Sequence, residues 1–320
     1  MTGARARPVL ALHLGVLGLL LALQFVVPPF HHGMLARVMV LALYATGYNV
    51  LLGYTGLMSL GHAMFFAAGM YGAGLPVYYL GLGALPALGL GVAAGAGTAA
   101  LVGLVALRTT GVAFLIVTMM LSQAFQLTTL YFNELTMGDQ GFILSGRLAP
   151  LSLGGLRLAF ADPAVKYNAA LAVFALGLLL TAWLTGSPVG RVLVAIRENE
   201  ERTRLLGYDT FRYKLLALGI SGGLSGAAGA TYALLFSYVG STFASILYSI
   251  YPLLWSLLGG TGTTIGPLVG TALMTYAVDV ASALTSSYLM VVGVMLVVLV
   301  MWLPAGIVGG IRRRWAPWLP

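Results

Sequence analysis

Cysteine is absent from this 320-residue chain, and charged residues make up only 8% of it. Without cysteine there is no disulfide framework, no thiolate metal site and no cysteine nucleophile. Soluble domains carry roughly 25% charged residues, so the composition argues strongly against a water-soluble fold. The two lysines, Lys166 and Lys214, follow valine and tyrosine, whereas the lysine of a phosphate-binding P-loop follows glycine. The chain therefore carries no ATP-hydrolysing motif of this type.

Recognisable catalytic and metal-binding patterns are also missing. No HExxH or similar ligand spacing occurs, and the four histidines do not cluster with carboxylates. No nucleophile and base can be paired, so an enzyme is the least favoured class, and we expect no cofactor in this chain. The net charge is +8, and the basic residues lie in short loops between apolar segments. This distribution indicates membrane topology signals and not nucleic-acid binding.

Hydrophobic residues dominate the chain, at 60% of the total. A bilayer core about 30 Å thick requires about 20 mostly apolar residues per helix, and such stretches follow one another almost from end to end. We therefore predict an all-α, polytopic protein of the inner (plasma) membrane with about ten transmembrane helices in contact with lipid, forming one domain over residues 1–320. The predicted spans are 9–27, 34–52, 62–80, 84–107, 110–132, 166–186, 213–236, 246–260, 265–284 and 286–304.

The distribution of basic residues predicts the orientation. With both termini in the cytoplasm, twelve of the sixteen lysines and arginines lie inside, as the positive-inside rule expects. Arg5 and Arg7 before the first apolar run would also fit a signal peptide. Residues 26–33 lack the small-x-small cleavage pattern, so we expect a retained membrane helix.

Two loops are longer than a few residues. The loop at 133–165 is predicted to be periplasmic, and its glycine, proline and scattered charges are typical of turns. The loop at 187–212 is predicted to be cytoplasmic and is the most charged part of the chain.

Helical charge spacing in the second loop predicts one short surface helix from Pro188 to Gly207. The predicted pairs are Glu198 with Arg202, Glu200 with Arg204 and Arg197 with Glu201. Such a helix either connects two spans or fits a cleft on a cytoplasmic partner, and spacing alone leaves both interpretations open.

Two long segments carry a resemblance to a known family. They read LLGYTGLMSLGHAMFFAAGMYGA at 51–73 and GRVLVAIRENEERTRLLGYDTFRYKLLALGISGGLSGAAGATYA at 190–233. Together they resemble the LivM-type permease of branched-chain amino acid ABC transporters, with similarity from about residue 35 to 304. The resemblance implies that the charged loop is the coupling helix that docks onto ATPase subunits. It assigns this role to Arg197, Glu198, Asn199, Glu200, Glu201, Arg202 and Gly207.

The same resemblance implies the partners and the cargo. A second related permease, two ATP-binding subunits that hold ATP and magnesium, and a soluble substrate-binding protein outside the cell are expected. Branched-chain amino acids are the expected cargo, with urea and short amides as alternatives. Arg202 and Thr203 depart from the family, in which small residues often follow the glutamates.

Two alternatives come from other classes of transport protein. A stand-alone secondary transporter needs intramembrane carboxylates for ion coupling, and Asp279 is the only one inside a predicted span. A passive channel would leave the charged cytoplasmic segment unexplained.

Glycines cluster at two places, in GYTGLMSLGH and in GGTGTTIGP, where a helix is expected to break. Broken helices expose backbone groups to a transported substrate, whereas small residues also serve close helix packing. His62 is either a hydrogen-bonded structural residue or a proton carrier, and Gln123 either lines a path or joins two helices. The candidate pathway residues are Gly53, Gly56, Ser59, Gly61, His62, Gln123, Gly259, Gly260, Gly262 and Asp279.

Overall fold

The computed structural model describes residues 3–148, 151–153, 156–158, 160, 162–303 and 305–315. Within these residues the long α-helices are α1 (Gly3–Val26), α2 (Pro29–Asn49), α3 (His62–Leu80), α4 (Ala84–Ala106), α5 (Val112–Tyr131), α7 (Pro163–Gly186), α10 (Thr210–Phe236), α11 (Ile246–Gly259), α12 (Gly266–Leu284) and α13 (Tyr288–Trp302). The shorter ones are α6 (Asn133–Thr136), α8 (Pro188–Glu198), α9 (Glu200–Leu205) and α14 (Ile307–Arg314), with a π-helix at Val50–Tyr54 and a 3₁₀ turn at Ser241–Ala244.

Each of the ten predicted spans overlaps one of these long helices, and the all-α polytopic class is confirmed. Seven helices in the described part of the chain are long and apolar enough to cross a membrane. By contrast, α11 has 14 residues and α13 has 15, or about 21–23 Å at 1.5 Å per residue. The number of crossings and the cytoplasmic location of the termini therefore stay predictions.

Small residues bring three helices, α3, α4 and α10, close together. A Cβ added at Gly69 would lie 2.1 Å from the carbonyl oxygen of Gly226, and one added at Gly95 would lie 2.6 Å from the Gly226 Cα. Such contacts leave no space for a side chain, so the backbones themselves touch. Packing of this kind joins helices in a membrane, where lipid removes the usual hydrophobic driving force between them.

Helix α2 is the centre of the bundle. Residues 38–51 are all buried, and the helix packs against α7, α10, α11 and α12. It ends in the π-helix, after which residues 56–61 are non-helical before α3 begins at His62. The predicted break in this part of the chain is thus present, and it lies between the buried end of α2 and the buried start of α3, with Gly56 and Met58 exposed.

Helix α1 is held to the rest of the bundle by a buried histidine. The His13 ring contacts the Val9 carbonyl oxygen through Nδ1 at 2.6 Å and the Thr264 hydroxyl through Nε2 at 2.8 Å. The Tyr167 hydroxyl of α7 also donates to the Leu20 carbonyl oxygen. These contacts join α1 to α7 and to the turn between α11 and α12.

The only strands among the described residues are short. β1 (Phe142–Ile143) pairs antiparallel with β4 (Tyr238–Val239), and β2 (Leu151–Leu153) pairs antiparallel with β3 (Leu156–Leu158). The first pair ties the loop at 133–165 to the end of α10. Part of this loop lies outside the described residues, and the described part contains turns and short elements.

Candidate functional site

The two predicted glycine clusters lie in direct contact, although about 200 residues separate them in the sequence. A Cβ added at Gly53 would lie 2.4 Å from the Gly262 amide nitrogen. Gly56 and Gly262 have φ angles of 76° and 70°, a region that side chains disfavour. We call the contact between Gly53 and Gly262 the glycine junction.

Asn49, the last residue of α2, connects the two sides of the glycine junction. Its Nδ2 donates to the Thr263 carbonyl oxygen at 2.9 Å, and its Oδ1 accepts from the Gly262 amide at 3.0 Å. The side chain is completely buried. Our sequence analysis missed this residue, although an amide inside an apolar span is a signal for a hydrogen-bonding role.

Two arginines reach the glycine junction from different parts of the chain. Arg197 donates from Nη1 to the Gly53 carbonyl oxygen at 2.5 Å, and Arg312 donates from Nη1 to the Gly262 carbonyl oxygen at 2.9 Å. A Cβ added at Gly56 would lie 2.9 Å from the Arg197 Cγ, so the stem of Arg197 passes directly over this glycine. A residue predicted for coupling thus touches residues predicted for the pathway.

The loop at 187–212 contains two helices, α8 and α9, and the predicted single helix from Pro188 to Gly207 is wrong. The helix breaks at Asn199, whose backbone is extended at φ −161° and ψ 104° and whose Oδ1 accepts from the Arg202 amide at 2.9 Å. This cap starts α9 as a separate helix, because a side-chain acceptor replaces the missing backbone acceptor. Gly207, at φ 90°, follows the end of α9.

The break changes the charge pairs. Of the three predicted pairs, Glu200 with Arg204 is formed at 3.4 Å. Glu198 and Arg197 instead pair with each other at 2.6 Å, and Glu201 and Arg202 are exposed. The other two predicted pairs are wrong because they assumed one continuous helical face across Asn199.

Glu200 fixes the loop to the start of α10. Its carboxylate pairs with the Lys214 ammonium at 2.5 Å and accepts from the Thr210 hydroxyl at 3.1 Å. Partial burial raises the pKa of Glu200, but Lys214, Thr210 and Arg204 favour the charged form more strongly and hold the pKa below its usual value. The Lys214 side chain is 6% exposed, so Glu200 takes the place of most of the water around its ammonium group.

Glu200→Gln should therefore destabilise the protein by about 1–3 kcal/mol at pH 7, because it leaves a buried ammonium without its counter-charge. A lowered carboxyl pKa stabilises the fold above the unfolded-state pKa, and that contribution is lost as the pH falls through the folded-state pKa. The difference between wild type and Glu200→Gln should accordingly shrink below about pH 4. Thermal unfolding in detergent at pH 7 and pH 3 tests this. The control is Glu201→Gln at the exposed neighbour, and equal stability of the two variants at pH 7 would contradict the role of Glu200.

Ser59, Gly61 and His62 join α3 to its neighbours. Ser221 donates to the Gly47 carbonyl oxygen at 2.6 Å, so its oxygen accepts from His62 Nε2 at 2.8 Å, which places the proton on Nε2. The Ser59 hydroxyl accepts from the Gly61 amide at 3.1 Å. Because His62 is completely buried and bonded between helices, its geometry fits the structural interpretation.

Gly259 and Gly260 form the tight turn between α11 and α12. A Cβ added at Gly259 would lie 1.8 Å from the Gly266 carbonyl oxygen, and one added at Gly260 would lie 2.7 Å from the Gly309 amide nitrogen. The backbone of Gly260 is also strained for any side chain, with φ at 120°. These contacts fit close packing rather than an open path at this turn.

Asp279 and Gln123 lie away from the glycine junction. Gln123 is exposed on α5. Asp279 lines a cavity of about 840 Å³ between α2, α11, α12 and α13, which also contains Arg37. Met34, Tyr248, Trp255, Met274 and Leu296 are among the other lining residues. The sequence patterns did not single out Arg37 or place it with Asp279.

The fold and these sites define a multi-pass helical membrane protein with a glycine junction, a charged loop that reaches this junction, and a separate cavity. The comparison with known proteins agrees with this class. Residues 31–301 match the family described as the permease component of the branched-chain amino acid transport system. This match covers most of the chain, and the chain belongs to that family of inner-membrane permeases, which confirms the resemblance stated above.

Individual relatives are similar over much of the chain. The high-affinity branched-chain amino acid transport system permease protein LivM of Salmonella typhimurium and that of Escherichia coli K12 are each 28% identical over 293 residues. Each alignment covers 84% of this chain and 68% of the relative. A probable branched-chain amino acid transport permease protein LivM from Methanocaldococcus jannaschii is 32% identical over 88 residues, covering 27% of this chain and 26% of the relative. No solved structure matches the chain significantly.

Proposed function

We propose that this chain is the permease subunit of an ABC importer for branched-chain amino acids, forming one domain over residues 1–320. Its partners are a second related permease, two ATP-binding subunits that hold ATP and magnesium, and a soluble binding protein that delivers the substrate. Catalysis of ATP hydrolysis belongs to the ATP-binding subunits. The family match and the names of the relatives support a transport role.

One observation carries the proposal that α8 and α9 dock onto an ATPase. At the end of α9, Leu205 and Leu206 are 87% and 76% exposed, next to the exposed residues Tyr208 and Phe211. Adjacent exposed apolar side chains on a charged loop are typical of an interaction site. The loop at 187–212 carries five arginines and four acidic residues, so it lacks the cluster of like positive charges that binds anionic lipid, and a protein partner fits it better than the membrane.

The proposed mechanism uses the contact between Arg197 and Gly53. When ATP binding closes the ATPases, they move the docked loop, and Arg197 transmits this movement to the π-helix at the end of α2. α2 runs from the glycine junction to the cavity that contains Arg37. A shift of α2 would then change access to that cavity and switch the permease between outward-open and inward-open states.

The test is to extract the tagged chain from native membranes in mild detergent and to identify the bound proteins by mass spectrometry. Wild type should retain P-loop ATPases and a second permease. With a double variant, Leu205→Ser and Leu206→Ser, the amount of ATPase recovered should fall more than about tenfold, because burial of each leucine contributes about 1.5–3 kcal/mol. The amount of the second permease recovered should not change.

The matched control is Leu205→Met with Leu206→Met, which keeps the surface apolar and should keep the ATPases. If the serine variant recovers as much ATPase as wild type, this loop is not the docking site. Recovery of the wild-type chain alone, with transport intact, would replace the proposal with a secondary transporter or a channel.

A further inference from the structure

The cavity between α2, α11, α12 and α13 contains one side chain of each charge. Arg37 lies on α2 and Asp279 on α12, and both are exposed to this space. Neither forms an ion pair with another residue that the structure describes. Charged groups at membrane depth are costly unless they face water or a partner, so two unpaired opposite charges in one cavity require an explanation.

Arg37 and Asp279 lie at similar distances from the glycine junction along their helices. Asn49 lies in the glycine junction, and Arg37 precedes it by twelve residues, or about 18 Å of helix. α12 begins at Gly266, beside the same junction, and Asp279 follows by thirteen residues, or about 20 Å. Since α2 and α12 pack against each other, both charges lie near one end of the bundle, away from the coupling loop.

The rest of the cavity is mostly apolar and aromatic. Met34, Trp255, Met274, Val292 and Leu296 line it, and the Arg37 guanidinium lies beside the Tyr248 hydroxyl. The volume of about 840 Å³ lies within the range of small-molecule sites. A ligand that fits these walls carries an anionic group, a cationic group and an apolar side chain.

We propose that this cavity binds a zwitterionic, apolar amino acid, with Arg37 contacting its carboxylate and Asp279 contacting its ammonium group. The inference rests on the proposed function and adds the residues that recognise the substrate. A guanidinium matches a carboxylate through two parallel hydrogen bonds, and a carboxylate accepts readily from an ammonium group. Urea carries no charged group, so it would leave both Arg37 and Asp279 without a counter-charge.

The site can be tested by saturation-transfer NMR on the complete complex in nanodiscs, without the binding protein, because this method detects weak ligands. L-leucine is the probe, and 4-methylpentanoate, which lacks the ammonium group, is the comparison. Wild type should bind L-leucine more tightly than 4-methylpentanoate. Arg37→Ala should weaken L-leucine binding at least about tenfold, the effect expected for loss of a charged hydrogen bond.

Asp279→Asn should weaken L-leucine binding to a similar extent and leave 4-methylpentanoate binding nearly unchanged, so that the variant no longer discriminates between the two. A general structural defect would weaken both ligands together. Glu134→Gln, at an exposed acid in α6, is the control and should bind like wild type.

The outcomes separate this inference from the proposed function. If the complex imports L-leucine and both variants bind and import it like wild type, the cavity is not the site, although the permease role stands. If the variants keep L-leucine binding and lose only activation by the binding protein, the charges form a docking surface and the inference fails. If wild type imports urea and not L-leucine, the proposed cargo itself is wrong.

Discussion

Arg197→Ala should reduce ATP-driven L-leucine uptake by about 10- to 100-fold, corresponding to the loss of roughly 1–3 kcal/mol of coupling between the loop and the pathway. The guanidinium is the direct link between the loop at 187–212 and the Gly53 carbonyl oxygen, at 2.5 Å. Alanine removes this link, while the exposed leucines at the end of α9 remain. The variant should therefore still bind the ATPases but should no longer convert their closure into transport.

The measurement is L-leucine uptake into proteoliposomes containing the complete complex, together with ATP hydrolysis in the presence of the binding protein. Arg191→Ala is the matched control, since Arg191 is an exposed arginine in the same helix, α8. Arg197→Lys should restore only part of the uptake, because an ammonium group lacks the planar fork that contacts both Gly53 and Glu198. Wild-type uptake by Arg197→Ala would exclude this contact as the coupling route.

Gly53→Ala should destabilise the protein by about 1–3 kcal/mol and strongly reduce transport, because it overpacks a rigid contact. The added Cβ would lie 2.3 Å from the Asn49 Oδ1 and 2.4 Å from the Gly262 amide nitrogen. The second of these is a backbone atom, so the two sides of the glycine junction must move apart. Their separation would also break the hydrogen bond between Asn49 and Gly262.

Thermal unfolding of the detergent-solubilised protein and L-leucine uptake by the complex test this prediction. The control is Gly97→Ala, since a Cβ at Gly97 of α4 meets no atom within 4 Å. This change should be neutral or should stabilise the protein by up to about 1 kcal/mol through better helix propensity. If Gly53→Ala unfolds and transports like Gly97→Ala, the glycine junction is not a tight contact in the working transporter.

The loop at 187–212 shows what local sequence patterns predict correctly and what they miss. Helical charge spacing correctly predicted helix formation and the pair of Glu200 with Arg204. It missed the break at Asn199, because charge spacing does not register that a short amide side chain favours capping a new helix over continuing an old one. The spacing rule also gave no indication that Arg197 would reach Gly53.

The glycine clusters show that local patterns also miss contacts between segments distant in the sequence. Their composition predicted breaks near Gly53 and Gly260, and both breaks are present. Nothing local predicted that Gly262 would contact Gly53, or that Asn49 would bridge them. Contacts between distant segments depend on how whole helix surfaces fit together, and a single sequence does not encode this fit in any short window.

Composition and apolar run length by themselves were sufficient for the all-α, multi-pass fold class and the approximate positions of the long helices, because a bilayer leaves a long apolar segment almost no alternative to a helix. The tertiary structure alone decided which polar groups meet. It placed Arg197, Asn49 and the two glycine segments at one end of α2, and Arg37 with Asp279 in a cavity near the other. These groups come from segments far apart in the chain, and the packing of α2 against α12 and of α8 against the π-helix brings them together.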